Sequence, residues 1–150
     1  MRTLWYLCAA LLLVAGCDTS NSSPRPLAKT ASLELYAVSP TQTPGTKQAT
    51  DPATNTPIFL ATPAIISAAD VTTVQRIEDQ PQRLSLGVNL SAAGAKKLAA
   101  ATADPTVKQL AVVVNGAVIA APQVLSPMST GFSLTGGEIH EQLFQELTEN

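Results

Sequence analysis

The clearest hydrophobic pattern in the chain is a strict alternation near its middle. Every second position is apolar, at Leu84, Leu86, Val88 and Leu90, and small or polar residues lie between them. Successive side chains of a β-strand point to opposite faces, so this spacing predicts a half-buried strand over Leu84–Leu90. Shorter apolar or β-branched runs predict further strands at Leu33–Val38, Pro57–Ala61, Val71–Ile77 and Phe132–Leu134.

Local turn chemistry predicts a hairpin and a short cap. Asn115-Gly116 separates the apolar runs Leu110–Val114 and Ala117–Ala120. Both residues tolerate positive φ, which a type I′ turn requires, so the pattern predicts a tight antiparallel hairpin. Ser67 followed three residues later by Asp70 predicts a one-turn cap, in which these side chains satisfy free amides.

Two segments have the composition and spacing of helices. Ala92–Ala103 is rich in alanine, follows a capping Ser91 and ends at Asp104-Pro105. In Glu138–Thr148 the apolar residues recur at helical spacing, at Ile139, Leu143, Phe144 and Leu147. Since strands outnumber helices and the hairpin is antiparallel, the predicted class is α+β, a small mixed, largely antiparallel sheet with two helices packed on it.

The first residues have the pattern of an export signal. Arg2 is followed by the apolar run Leu4–Val14, which is shorter than the roughly 20 residues that cross a membrane. Leu13-Val14-Ala15-Gly16-Cys17 resembles a bacterial lipobox, which implies cleavage before Cys17 and transfer of a diacylglycerol, with acyl chains such as palmitate, to its thiol. The mature chain, Cys17–Asn150, is then a lipoprotein. Asp18 resembles an inner-membrane retention signal, so we expect the periplasmic face of the inner membrane rather than the outer membrane.

Polar stretches suggest how the mature chain is organised. Asp18–Thr30 contains mostly serine, asparagine and proline, so we expect a flexible tether over residues 17–32. Ser39–Thr56 is predicted to be a long surface loop, although such a loop is unusual in a small domain. The expected arrangement is a signal peptide over residues 1–16, the tether, and one domain over residues 33–150.

Composition and charge exclude several function classes. The mature chain has eight basic and eleven acidic residues, a formal charge of −3, so it lacks the basic surface that nucleic acid requires. Its single histidine, His140, and single cysteine cannot form the usual zinc site, and we expect no metal or other cofactor. His140 has no evident nucleophile or orienting partner and is predicted to face solvent. We therefore expect a protein that is not an enzyme.

One loop carries candidate binding residues. Ala121–Gly131 contains Val124, Leu125 and Met128 between prolines. Methionine adapts to varied surfaces and is common at promiscuous binding sites, so these three residues are candidates for contact with a partner. The alternative is that they fold back over the core.

The second half of the chain resembles a known family, the head subdomain of the first periplasmic domain of SecD. The helix opening of that family corresponds to Leu90–Leu98, with Thr102 at its usual helix-end threonine. Its "Leu-Ala-Ile-Val-Leu-Asp-Gly" strand and turn correspond to Leu110–Gly116, with Asn115 in place of aspartate, and the strand before its closing helix corresponds to Phe132–Gly136. The resemblance covers Arg83–Leu147, with a weaker match over Pro57–Asp70.

This resemblance implies a head-like fold and contact with emerging polypeptide, but it does not carry over the proton-coupled export motor, because the transmembrane part of SecD is absent from this sequence. The function expected is a membrane-anchored protein-binding module, with an extended polypeptide or the export machinery as partner. The alternative is a structural or ligand-binding envelope lipoprotein that shares only the fold.

Overall fold

The structure, a computed structural model, describes residues 23–80, 83–135 and 139–149. Within these ranges, eight strands and two α-helices follow one another along the chain. The strands are β1 (Leu33–Ser39), β2 (Thr46–Thr50), β3 (Pro57–Ala61), β4 (Val71–Gln80), β5 (Arg83–Leu90), β6 (Leu110–Val114), β7 (Ala117–Ala120) and β8 (Gly131–Thr135). The helices are α1 (Ala92–Ala103) and α2 (Ile139–Thr148), and a single 3₁₀ turn, Ala68–Asp70, precedes β4.

The strands form two antiparallel sheets. One has five strands in the order β2-β3-β1-β6-β7, and the other has three in the order β4-β5-β8. The predicted α+β class, with antiparallel pairing and two helices, is confirmed. The difference is that the strands divide between two sheets, because β4 continues from the 3₁₀ turn to pair with β5 and not with the strands before it.

A single large core joins the two sheets and both helices. The five-stranded sheet contributes Leu33, Leu35, Leu110, Val112 and Val114, and the three-stranded sheet contributes Val74, Leu86, Val88 and Leu134. Leu98 of α1 and Leu143, Phe144 and Leu147 of α2 also belong to the cluster, and the three α2 residues lie on the helix face predicted from the sequence. Two guanidinium groups lie near the Phe144 ring, that of Arg25 at 5.6 Å and that of Arg76 at 5.8 Å from the ring centroid.

Two polar segments are more ordered than their composition predicted. Within the predicted tether, the backbone of Arg25 exchanges two hydrogen bonds with Val74 of β4, and the Ala28 N–H donates to the carbonyl oxygen of Leu147. Ala28 and Ala31 are buried. Within the predicted surface loop, Thr46–Thr50 forms β2 and pairs with β3. Both corrections have one cause: these segments are ordered by backbone hydrogen bonds to another segment, and local composition does not reveal which segments pair.

The predicted one-turn cap joins the 3₁₀ turn to helix α1. The Asp70 carboxylate accepts hydrogen bonds from the Ser67 N–H and hydroxyl, both at 3.1 Å. The Lys97 ammonium donates to both carboxylate oxygens, at 2.8 Å to Oδ1 and 2.9 Å to Oδ2. The Asp70 carbonyl accepts the Ser91 N–H at 2.8 Å. Gly94 fits this contact because a Cβ there would lie 2.8 Å from the Asp70 Cβ.

The Asn115-Gly116 turn has the predicted geometry. Asn115 has a φ of 48° and Gly116 a φ of 83°, as a type I′ turn requires. The turn is also fixed to the start of β1, because the Ser32 N–H donates to Asn115 Oδ1 and the Asn115 N–H donates to the Ser32 carbonyl, both at 3.0 Å. The predicted hairpin of β6 and β7 is therefore confirmed.

Replacing Gly116 by valine should destabilise the domain by more than about 1 kcal/mol. A Cβ at this position would meet no atom within 4 Å, so the cost comes from the positive φ alone. Asparagine tolerates this conformation, and Gly116→Asn is the matched control that should cost less. Urea unfolding measures both, and equal stabilities for the two variants would contradict the assigned turn.

Candidate functional site: an apolar cleft beside strand β8

The loop after β7 is held to the domain at two points. On one side, the Val124 N–H donates to the Lys108 carbonyl at 2.9 Å. On the other side, the Met128 N–H donates to the Thr102 hydroxyl of α1 at 2.9 Å, and that hydroxyl donates to the Leu98 carbonyl at 2.8 Å. Residues 125–127, between these two points, are exposed.

These attachments place the three candidate binding residues differently. Val124 and Met128 are half-buried and pack against the main core. Leu125 points outward and is 90% exposed, the only large hydrophobic residue in the described ranges with such exposure. Val124 and Met128 pack against the core, as the alternative expects, but both also line an open cleft. The Leu125 side chain remains exposed on the same loop.

The cleft lies between the loop, the inner face of the five-stranded sheet and strand β8. Its volume is about 140 Å³. The lining residues are Leu35, Leu110, Val112, Pro122, Gln123, Val124, Met128, Phe132, Ser133 and Leu134. An apolar cavity of about 150 Å³ accepts a molecule the size of benzene, so the cleft matches one leucine or phenyl side chain. No charged side chain is among its lining residues.

Strand β8 was missing from the binding site predicted from sequence. Phe132–Leu134 was predicted as a strand, but its position beside the loop depends on its pairing with β5, where Phe132 lies opposite Val88 and Leu134 opposite Leu86. These pairs turn Phe132 and Leu134 toward the same core as Val112. No sequence pattern in the loop indicates that contact.

A second groove lies on the opposite face of the five-stranded sheet. Its volume is about 310 Å³, and its lining includes Glu34, Tyr36, Lys47 and Val113. The Tyr36 hydroxyl donates to Glu34 Oε2 at 3.0 Å. Burial, with a further contribution from Glu34, raises the pKa of Tyr36. The phenol is therefore protonated at neutral pH and is not a base or nucleophile there.

The remaining residues singled out from the sequence are Cys17 and His140. Cys17 and the preceding signal segment lie outside the described residues, as does the side chain of His140. In the part of the chain that is described, no three histidine, cysteine, aspartate or glutamate side chains converge on a possible metal position. Neither described helix has the length and apolar character needed to cross a membrane.

Comparison with known proteins identifies the fold family. The family described as "SecDF, P1 head subdomain" matches residues 45–147 of the chain. This chain belongs to the SecDF P1 head family. The match confirms the resemblance noted from the sequence and extends it upstream to the turn before β2. Strand β1, at the centre of the five-stranded sheet, precedes the matched range.

A solved structure is also similar to this head-like chain. Its subject is described as SecDF, a membrane component that enhances protein export. The two chains are 20% identical, with a TM-score of 0.49, and the similarity covers 75% of this chain and 55% of the other. The chain thus spans about half of that structure. No protein of curated function matches the sequence.

Proposed function

We propose that this SecDF head-like domain is a non-enzymatic module that binds polypeptide at the bacterial cell envelope. Acylation of Cys17 would hold it on the periplasmic face of the inner membrane, where stable anchoring needs more than one acyl chain or a second attraction. The lipobox-like Leu13–Cys17 supports the anchor. The domain begins to pack at Arg25, so only a short segment separates the anchor from the folded part.

The observation that carries the binding function is the open apolar cleft. The cleft is lined by residues of the domain core, such as Val112 and Leu134, and by the half-buried Val124 and Met128. The exposed Leu125 lies on the same loop as these two residues. Concave apolar sites with few polar groups are typical of ligand-binding sites. The flexible Met128 side chain in the lining can adapt to partners of varied sequence, and exported polypeptides vary in sequence.

Protein export is the proposed setting, because the chain belongs to a family that is a subdomain of SecDF, and SecDF is described as a membrane component that enhances protein export. This chain spans only about half of that structure, and the role proposed is therefore that of an accessory binding module. It would hold a translocated segment beside the membrane without itself supplying energy.

In vivo photo-crosslinking tests this function. A photoreactive amino acid is placed at Val124, Leu125 or Met128, and the adducts are identified by mass spectrometry. We expect newly secreted chains or export subunits from these positions. Ala100 is exposed on α1 and, two residues from the loop-contacting Thr102, lies on the opposite helix face. It is the matched control and should give few such adducts. A single unrelated envelope protein, or no adduct at any loop position, would favour a structural or ligand-binding lipoprotein that shares only the fold.

A further inference from the structure

We propose that the cleft and the free edge of β8 act together, so that an extended polypeptide binds as an added strand with one apolar side chain in the cleft. This inference rests on the polypeptide-binding function above and specifies how the chain is held. It also specifies which segments are selected. Strand addition to an exposed sheet edge is a common mode of peptide recognition, in which the backbone supplies affinity and pockets supply specificity.

The two edges of the three-stranded sheet differ in whether another segment of the chain pairs with them. The outer edge of β4 is covered in part by the N-terminal segment, since Arg25 and Val74 exchange hydrogen bonds of 2.8 and 2.7 Å. In the described ranges, β8 pairs with β5 alone, and no strand occupies its other edge. The unused N–H and C=O groups of an edge strand are satisfied best by another extended backbone.

The sequence of β8 does not protect this edge. Natural edge strands commonly carry lysine, other charges or proline, which discourage pairing with another chain. Gly131–Thr135 contains none of these, whereas the edge strand β2 of the other sheet contains Lys47. The edge strand β7 is also uncharged, but none of its residues lines the apolar cleft.

The cleft adjoins β8 directly. Phe132, Ser133 and Leu134 are consecutive residues of the strand, and all three line the cleft. A strand added to β8 would lie about 4.8 Å away, and every second side chain would point to the face that carries Phe132 and Leu134. One of those side chains would then be positioned to enter the cleft.

The lining of the cleft defines the segments that bind. Burial of an unpaired charge is strongly unfavourable, and the lining offers no charged partner. The volume of about 140 Å³ suits leucine, isoleucine, methionine or phenylalanine. The substrate class is therefore an extended segment with an isolated apolar residue among uncharged neighbours, and without proline where the backbone must donate to β8.

The decisive experiment alters the backbone of the bound peptide and uses the full mature chain in lipid nanodiscs. The probe is a short fluorescent peptide of serine and threonine with one central leucine, and binding is followed by anisotropy. Alternate N–H groups of a strand point to opposite edges. Two derivatives are compared, one N-methylated at odd positions and one at even positions. We expect one derivative to lose at least about tenfold in affinity and the other to bind like the parent.

The outcomes separate the binding mode from the function. Equal affinities for the two methylated derivatives would overturn strand addition and leave polypeptide binding intact. No binding of the parent probe would contradict the proposed function itself. A probe with glutamate in place of the central leucine should lose at least about tenfold in affinity, and unchanged affinity would contradict the use of the cleft.

A protein variant tests the cleft independently. Val124→Phe should fill it and weaken binding of the leucine probe, while a probe with central alanine should bind the variant as well as it binds the unaltered protein. Val118→Phe, in the groove on the opposite face, is the matched control and should leave both affinities unchanged. Equal effects of the two substitutions would contradict the assignment, and the methylated probes decide the question if either variant fails to fold.

Discussion

A chain in which Cys17 is replaced by serine should carry no lipid, and it should either be released from the membrane or stall as unprocessed protein. The thiolate is the nucleophile that accepts the diacylglycerol, and a serine hydroxyl in its place does not. Intact mass spectrometry and membrane fractionation measure the change. Unprocessed protein would retain Trp5, whereas the mature form has Tyr36 as its only tyrosine and no tryptophan, so fluorescence reports processing.

The same segment offers a matched control. Cys8 lies within the apolar run of the predicted signal peptide, and Cys8→Ser should leave lipidation and fractionation unchanged. A wild-type protein without lipid mass, combined with identical fractionation of the Cys17→Ser variant, would show that the lipobox interpretation is wrong. The cleft and the binding proposal would be unaffected by that result, because the described domain begins beyond this segment.

Replacing Asp70 by asparagine should destabilise the domain by about 2 kcal/mol at neutral pH, the usual scale for hydrogen bonds to a charged group. The Asp70 carboxylate is buried, and it joins the turn before β4 to helix α1 through Ser67 and Lys97. Asparagine retains one acceptor oxygen but loses the charge. Urea unfolding followed by circular dichroism at pH 7 measures the difference.

The same residue should make stability depend on pH. The hydrogen bond from Lys97 is the main cause that lowers the pKa of Asp70 from its ordinary value of 3.8, with the Ser67 N–H next. The contribution of the carboxylate is therefore complete above about pH 4 and is lost as pH falls through the lowered pKa of the folded state. The stability difference between wild type and Asp70→Asn should shrink over this acidic range.

Two neighbouring lysines provide the control for this prediction. Lys97→Ala should destabilise by about 0.5–1 kcal/mol, because the Lys97 side chain is half exposed and solvent weakens the ion pair. Lys96 is exposed and forms no ion pair within the described ranges, so Lys96→Ala should have little effect. Equal effects of the two lysine substitutions, or a difference for Asp70→Asn that stays constant from pH 7 to pH 3, would contradict this account.

The sequence predicted those parts of the fold that are determined by neighbouring residues. The bounds of helix α1 agree with the prediction because Ser91 caps its start and Asp104-Pro105 ends it. The β6–β7 hairpin agrees because Asn115 and Gly116 by themselves favour positive φ. In each case the stabilising interactions lie within a few residues, so the local pattern contains the necessary information.

The candidate site could be predicted only in part. Sequence composition indicated the Ala121–Gly131 loop and the adaptable side chains of Val124, Leu125 and Met128. It could not separate the exposed Leu125 from the other two, because this depends on the hydrogen bonds of Val124 to Lys108 and of Met128 to Thr102. Those bonds join segments that are far apart along the chain.

The tertiary structure alone determined the remaining features. Gly94 lowers the intrinsic stability of α1, yet it permits the close contact with Asp70. Arg25 and strand β2 lie in polar segments and are ordered by pairing with β4 and β3. The cleft exists because β8 pairs with β5 and so faces the loop after β7. Such pairings depend on burial and backbone hydrogen bonding between separate segments, which short-range patterns of hydrophobic and polar residues do not specify.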